Sequence, residues 1–237
     1  MKLPRAVLLD LDDTLLDYSG GVDVCWRDAC VKIAGPGGVD GGRLAEVVAE
    51  SRRWFWDDPE RQRRERTDMI GAWTKIVAHA LERSGIATDG LAGAIAEDYA
   101  ARRRAAMCLF PDARACLENL RGRGIPLGLV TNGDTRQQRD KIERHDLARY
   151  FDVIVIEGEF GTGKPDPRVY HHALSALRTP AADVWMVGDH LDFDVAGAQD
   201  VGVHGVWLDR AGQGLPPGSR VQPARIIAAL DALLSEH

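Results

Sequence analysis

The chain has 237 residues, 45% of them apolar and 28% charged, enough to bury a core in one or two domains, which excludes disordered and fibrous classes. Thirty Lys and Arg against thirty-six Asp and Glu leave a net charge of −6, so the molecule repels polyanions and a broad nucleic-acid-binding face is disfavoured. Any phosphate it binds must meet a local positive site.

The first apolar run, Ala6–Leu9, reads as a strand that ends at an acid. It is too short for a signal-peptide core or a membrane span, so a soluble, cytoplasmic protein with no membrane partner is expected. About a hundred residues then intervene before the next strand, too many for an ordinary connection, and they are expected to form a module of their own. Its patterns predict helices at Val22–Ile33, Arg43–Trp56, Thr67–Ser84 and Leu91–Arg104, with the glycine-rich Gly35–Gly42 as a break between the first two. The expected division is residues 17–105 for this helical module and residues 1–16 with 106–237 for the rest.

From about residue 105, short β-branched runs alternate with helical patterns, which is how parallel α/β sheets are written. Strands are expected at Pro126–Thr131, Val153–Glu157, Val184–Val187 and Val203–Trp207. They are apolar nearly throughout, as strands covered on both faces must be. Helices are expected at Asp112–Arg121, Thr135–His145, Pro167–Leu177, Phe193–Val201 and Ala224–Glu236, with Pro216-Pro217-Gly218 as a loop before the last. Cys25, Cys30, Cys108 and Cys116 show no C-x-x-C spacing and read as reduced, mostly packed thiols.

Chemistry concentrates at strand ends. The first strand runs into Asp10-Leu11-Asp12-Asp13-Thr14, and alternate side chains of an extended chain share a side, so Asp10 and Asp12 can reach one small volume. Paired carboxylates repel unless a cation or a shared proton intervenes, and a hard, oxygen-preferring ion such as Mg²⁺ is the usual answer. A second acidic group, Gly188-Asp189-His190-Leu191-Asp192-Phe193-Asp194, ends another strand. There Gly188 lets the backbone pass close to a neighbour, Asp189 is the natural further ligand, and Asp194 could hold a metal-bound water or a nearby Lys. Asp192 could equally be a helix cap, and His190 reads as an ordinary partly exposed histidine.

Thr131-Asn132-Gly133 offers a hydroxyl and backbone N–H groups for a phosphate oxygen. Lys164, one of only five lysines, lies in the Gly/Pro-shaped loop Gly161–Pro167. The run Gly158-x-x-x-x-Gly163-Lys164 imitates a nucleotide-binding P-loop, but Pro165 stands where that loop needs Ser or Thr, and Pro165 and Pro167 remove two N–H donors.

Four motifs in order, Asp10-x-Asp12-x-Thr14, Thr131-Asn132-Gly133, Lys164-Pro165, and Gly188-Asp189 with Asp194, make the sequence resemble the haloacid dehalogenase superfamily, phosphatase branch, over essentially the whole chain. The resemblance implies a Rossmann-like parallel sheet core of the α/β class with an all-helical cap inserted after the first motif. It implies that Asp10 is the nucleophile that becomes a transient aspartyl phosphate and that Asp12 is the general acid and base. Mg²⁺ would be held by Asp10, Asp189 and Asp12, the last through its main-chain carbonyl. Thr131, Asn132 and Lys164 would bind the phosphoryl group, with Gly188 and Asp194 in support.

The family's dehalogenases and its phosphonate-cleaving branch lack the acid at Asp12, and its phosphosugar mutases usually have Gly in place of Asp13. The implied function is therefore a Mg²⁺-dependent phosphomonoester hydrolase acting on a small metabolite: a sugar phosphate, nucleotide or phosphorylated acid. A noncatalytic binding or regulatory protein on the same scaffold, a mutase and a dehalogenase are the alternatives, and a monomer or homodimer is expected. In the cap, Arg52, Arg53, Arg61, Arg63, Arg64 and Arg66 surround Trp54 and Trp56. They could clamp a second anionic group, but interleaved acids favour a solvated face.

Overall fold

The computed structural model describes residues 3–87 and 90–234. It divides into two compact units, Met1–Tyr18 with Cys108–His237, and Ser19–Met107.

The first unit is an α/β layer structure. Strands β1 (Ala6–Leu9), β2 (Leu127–Thr131), β3 (Val153–Ile156), β4 (Val184–Gly188), β5 (His204–Leu208) and β6 (Arg225–Ile227) form one six-stranded sheet in the order β3-β2-β1-β4-β5-β6. Every pairing is parallel. β1, β2 and β4 are buried at every position, so their unbroken apolar runs follow from coverage on both faces. The strand order reverses at β1, and a sheet of this kind opens a crevice at the carboxyl ends of the strands where that happens. Asp10, the residue after β1, donates its N–H to the Val187 carbonyl at 3.0 Å, which sets it beside the end of β4.

The sheet carries one strand more than the sequence patterns predict. Residues 225–227 were expected inside a helix over Ala224–Glu236; instead they pair with β5, Val206 opposite Arg225 and Leu208 opposite Ile227, and a 3₁₀ turn, Leu230–Leu234, follows. The Ala- and Leu-rich run has helical propensity, but the exposed edge of β5 supplies backbone partners that override it. The last residues of that expected helix lie outside the described residues. The helix expected over Phe193–Val201 is also corrected: Leu191–Ala196 winds as a π-helical turn and only Gly197–Gln199 is α-helical.

The helices of this unit are α6 (Ala113–Gly122), α7 (Thr135–Arg144), the short α8 (Glu157–Phe160), α9 (Pro167–Leu177) and α10 (Gly197–Gln199), while the second unit holds α1 (Val22–Ala34), α2 (Gly41–Trp56), α3 (Pro59–Glu65), α4 (Met69–Arg83) and α5 (Leu91–Ala106). The second unit's core is aromatic at its centre, with Trp26 stacked on Tyr99 at 3.6 Å and Trp73 edge-on to Tyr99 at 4.9 Å. Asp40 caps α2 by accepting from the Arg43 N–H, and Asp58 with Pro59 starts α3, a helix that the sequence patterns did not predict. Of the arginines near Trp54, Arg61 lies over its ring at 4.1 Å, Arg52 pairs with Asp23 and Arg64 with Glu65. Among the described residues no helix is long and apolar enough to cross a membrane.

One clamp ties the loop after β1 to the rest of the sheet unit. The Arg210 guanidinium donates to both carboxylate oxygens of Asp112 and to the Thr14 carbonyl, and its face lies on Phe110 at 3.7 Å. Asp112 also accepts the Leu230 N–H at 2.7 Å. Burial alone would raise its pKa, but the Arg210 bonds and that N–H outweigh it and hold the carboxyl below its usual range. A carboxylate with a depressed pKa stabilises the fold above its unfolded value and loses that contribution as the pH falls through the folded one. Asp112→Asn is therefore expected to lower the unfolding free energy by about 1–3 kcal/mol near neutrality, with the gap to the parent closing towards about pH 3. Urea unfolding at both pH values measures it, and a gap independent of pH would contradict this account of the clamp.

Candidate active site

The ends of β1, β2 and β4 and the loop after β3 converge around one ammonium group. Lys164 Nζ donates to Asp10 Oδ1 at 2.6 Å and to Asp194 Oδ1 at 2.5 Å, and the three side chains are only 2%, 9% and 1% exposed. Burial disfavours a charged lysine, but the two carboxylates more than compensate and raise its pKa. Lys164 is a fixed cation.

Its loop is held by Asn132, whose side-chain oxygen accepts the Lys164 N–H at 2.7 Å and whose amide donates to the Lys164 carbonyl at 2.8 Å. Gly163 fits there because a Cβ would collide with Asn132 Oδ1 and the Glu157 carboxylate. Glu157 in turn accepts the Gly133 N–H at 2.9 Å, so that donor already has a protein partner.

Carboxylate oxygens of Asp10, Asp189 and Asp194 lie within 4.8 Å of one another. Gly188 permits this approach, since a Cβ on it would overlap the Asp194 carboxylate. Asp194 is anchored from its own turn by the His190 N–H at 3.0 Å, and the Asp189 carbonyl accepts the Trp207 indole N–H at 2.7 Å. Burial first, then the neighbouring carboxylates, raise the pKa of Asp189. Asp10 is raised too, by burial, with Lys164 pulling the other way. One ammonium does not neutralise three such groups. The donor set is all oxygen and short of positive charge, which fits a hard divalent cation held by Asp10, Asp189 and Asp194.

Asp12 is not in that group. Its carboxylate turns to α7, where Lys141 Nζ donates to both of its oxygens at 2.9 and 2.7 Å and Gln138 Nε2 reaches Oδ2 at 3.0 Å. Gln138 Nε2 also donates to the Thr131 hydroxyl at 2.6 Å. Neither Gln138 nor Lys141 was singled out from the sequence. Their signal was a helix beside a motif with one strongly apolar residue, Ile142. Asp192 is exposed, and His190 caps the π-helical turn through Nδ1.

An acidic strand end, a buried lysine and further carboxylates thus meet at the switch point of a parallel α/β sheet. A model of haloacid dehalogenase-like hydrolases matches residues 4–202, and the chain belongs to that family. Over 229 residues it is 34% identical to a phosphoserine phosphatase of Thermus thermophilus, covering 87% of this chain and 89% of that protein. It is 32% identical to a ribulose-1,5-bisphosphate 5-phosphatase of Halopiger xanaduensis, covering 87% of this chain and 85% of that one. Among solved structures, a 2-haloacid dehalogenase from Pseudomonas syringae shares 28% identity at a TM-score of 0.65, covering 98% of this chain and 96% of that one. Within the family the chain is a phosphatase, a phosphoric monoester hydrolase.

Removing the central cation leaves buried carboxylates uncompensated. Lys164→Met is expected to lower the unfolding free energy by about 3–5 kcal/mol, read from urea unfolding, and a loss under about 1 kcal/mol would show that the ammonium does not balance the pocket.

Proposed function

We propose that this chain is a Mg²⁺-dependent phosphomonoester hydrolase that acts on a small phosphorylated metabolite through an aspartyl phosphate on Asp10. The observation that carries this reading is the contact between Asp10 and Lys164 beside Asp189 and Asp194, with Asp12 fixed at the same strand end. A carboxylate attacks without prior deprotonation, provided positive charge offsets the repulsion between two anions. Bound by Asp10, Asp189, Asp194 and the Asp12 carbonyl, Mg²⁺ would supply that charge and orient the phosphoryl group.

The protein's own groups do the rest. Asp10 Oδ forms a bond to phosphorus as the ester P–O bond breaks, and the departing oxygen takes a proton from the Asp12 carboxyl. Asp12, now a carboxylate, removes a proton from the water that attacks the aspartyl phosphate, releasing inorganic phosphate and restoring both acids. Lys164 uses two of its three N–H bonds on Asp10 and Asp194, leaving a third for a phosphoryl oxygen. The Thr131 hydroxyl accepts from Gln138 and donates only a long 3.4 Å hydrogen bond to the Asn132 carbonyl, an acceptor that a phosphoryl oxygen would replace, and Asn132 holds the Lys164 loop in register.

The acid at Asp12 favours an ester leaving group, which needs a proton, over a halide, which does not. The relatives' names point to phosphorylated small molecules, phosphoserine and a sugar bisphosphate among them. In the family that the sequence resembles, substrate selection usually comes from the cap, and we assign it here to the helical unit, Ser19–Met107.

The test is phosphate release from a panel of metabolite monophosphates, with and without Mg²⁺, alongside halide release from a haloacid. The expected result is Mg²⁺-dependent phosphate release from at least one alkyl ester, abolished in Asp10→Asn without loss of fold. Equal activity in that variant would overturn the covalent step. Halide release without phosphate release would overturn the reading altogether.

A further inference from the structure

Helix α7 buries the wrong residues for a helix that only packs. It follows Thr131-Asn132-Gly133, is capped by Asp134 accepting the Gln137 N–H at 2.8 Å, and buries Gln138, Lys141 and Ile142. Gln138 and Lys141 stand three residues apart on one face and are only 2% and 4% exposed. Sequestering an amide and an ammonium from water is costly unless every polar atom finds a partner.

Here the partners are found. Lys141 Nζ donates to both Asp12 oxygens and to Gln138 Oε1, the last at 2.6 Å, which accounts for its three N–H bonds. The Tyr18 ring lies 4.4 Å from that ammonium and closes its remaining side. Gln138 points its amide nitrogen at Asp12 Oδ2, Thr131 Oγ1 and the Asn132 carbonyl, joining the acid to the phosphate-binding turn. A buried ion pair of this kind adds little net stability over apolar packing of the same volume. Its effect is to fix geometry. Held by two partners on one helix, the Asp12 carboxylate keeps a set position relative to the Thr131 hydroxyl, with which it shares the Gln138 amide.

We propose that Lys141 and Gln138 are positioning residues for Asp12, fixing its carboxyl group where, in its protonated form, it can pass a proton to the departing oxygen. The inference rests on the assignment of Asp12 as general acid and base. Neither residue touches substrate in this scheme, because their hydrogen-bonding groups are engaged by the protein.

The consequence depends on the leaving group. An alkyl ester departs only as its oxygen is protonated, whereas dinitrophenolate departs unprotonated, so misplacing Asp12 slows the first chemical step for one and not the other. Lys141→Met keeps the side chain's length and removes its charge. It is expected to lower kcat on the best alkyl ester of the panel by about ten- to a hundredfold with KM within about twofold. The first-turnover burst of dinitrophenolate from dinitrophenyl phosphate should keep its parental rate. Gln138→Met should give the same contrast more weakly, and it carries the test if Lys141→Met does not fold by circular dichroism. Equal slowing of both esters, or of neither, would overturn the positioning role. Asp12→Asn separates this from the underlying reading: if it turns over the alkyl ester at the parental rate, the acid–base assignment itself fails. If it is inactive on that ester while the α7 variants show no leaving-group contrast, only the positioning role falls.

Discussion

The structure of the site depends on one buried ammonium. Lys164 reaches the end of β1 from the loop after β3 and lies between Asp10 and Asp194, carboxylates that would otherwise repel each other in a place with little water. Several neighbouring features serve that placement. Asn132 grips the lysine's backbone on both sides, and Gly163 and Gly188 remove the Cβ atoms that would block the approach. The pocket nonetheless remains acidic beyond what one lysine balances, and this residual demand is the physical reason to expect a divalent cation there.

Topology explains why residues as distant in sequence as Asp10 and Asp194 meet. β1 is central, with β2 and β4 as its two neighbours, and the chain leaves all three strands at the same edge of the sheet. The acids that follow β1 and β4, the hydroxyl at the end of β2 and the lysine loop are therefore neighbours by construction. The carboxylates then divide into two environments. Asp10, Asp189 and Asp194 share the cation-seeking pocket, whereas Asp12 is drawn to α7 by Lys141 and Gln138. Two like groups two residues apart can carry different chemistry because their partners differ.

Much of this was legible in the sequence, because parallel strands buried on both faces announce themselves as apolar runs and the chemistry-bearing residues follow them directly. Asp10, Thr131, Lys164 and Asp189 each stand after such a run or in the loop beyond it. What was not legible depended on tertiary partners. Arg225-Ile226-Ile227 sits at the start of an Ala- and Leu-rich run that reads as a helix, and it becomes a strand because its β-branched residues meet the open edge of β5. The π-helical turn after β4 comes with Asp194 folding back to its own His190 N–H and to Lys164, which periodicity does not register. Gln138 and Lys141 look like ordinary surface residues of a polar helix, since their burial is decided by Asp12, more than a hundred positions away. The Asp58-Pro59 start of α3, by contrast, was a readable signal: an N-cap acid followed by proline at the first helical position.

The central proposal is that the charge-balanced carboxylate of Asp10 takes the phosphoryl group. Quenching the enzyme during turnover of an alkyl phosphate and reducing it with borohydride converts an aspartyl phosphate to homoserine, which peptide mass spectrometry locates. The account predicts homoserine at position 10 alone. Reduction at Asp12 or Asp189, or an enzyme that turns over with no reducible aspartate, would contradict it.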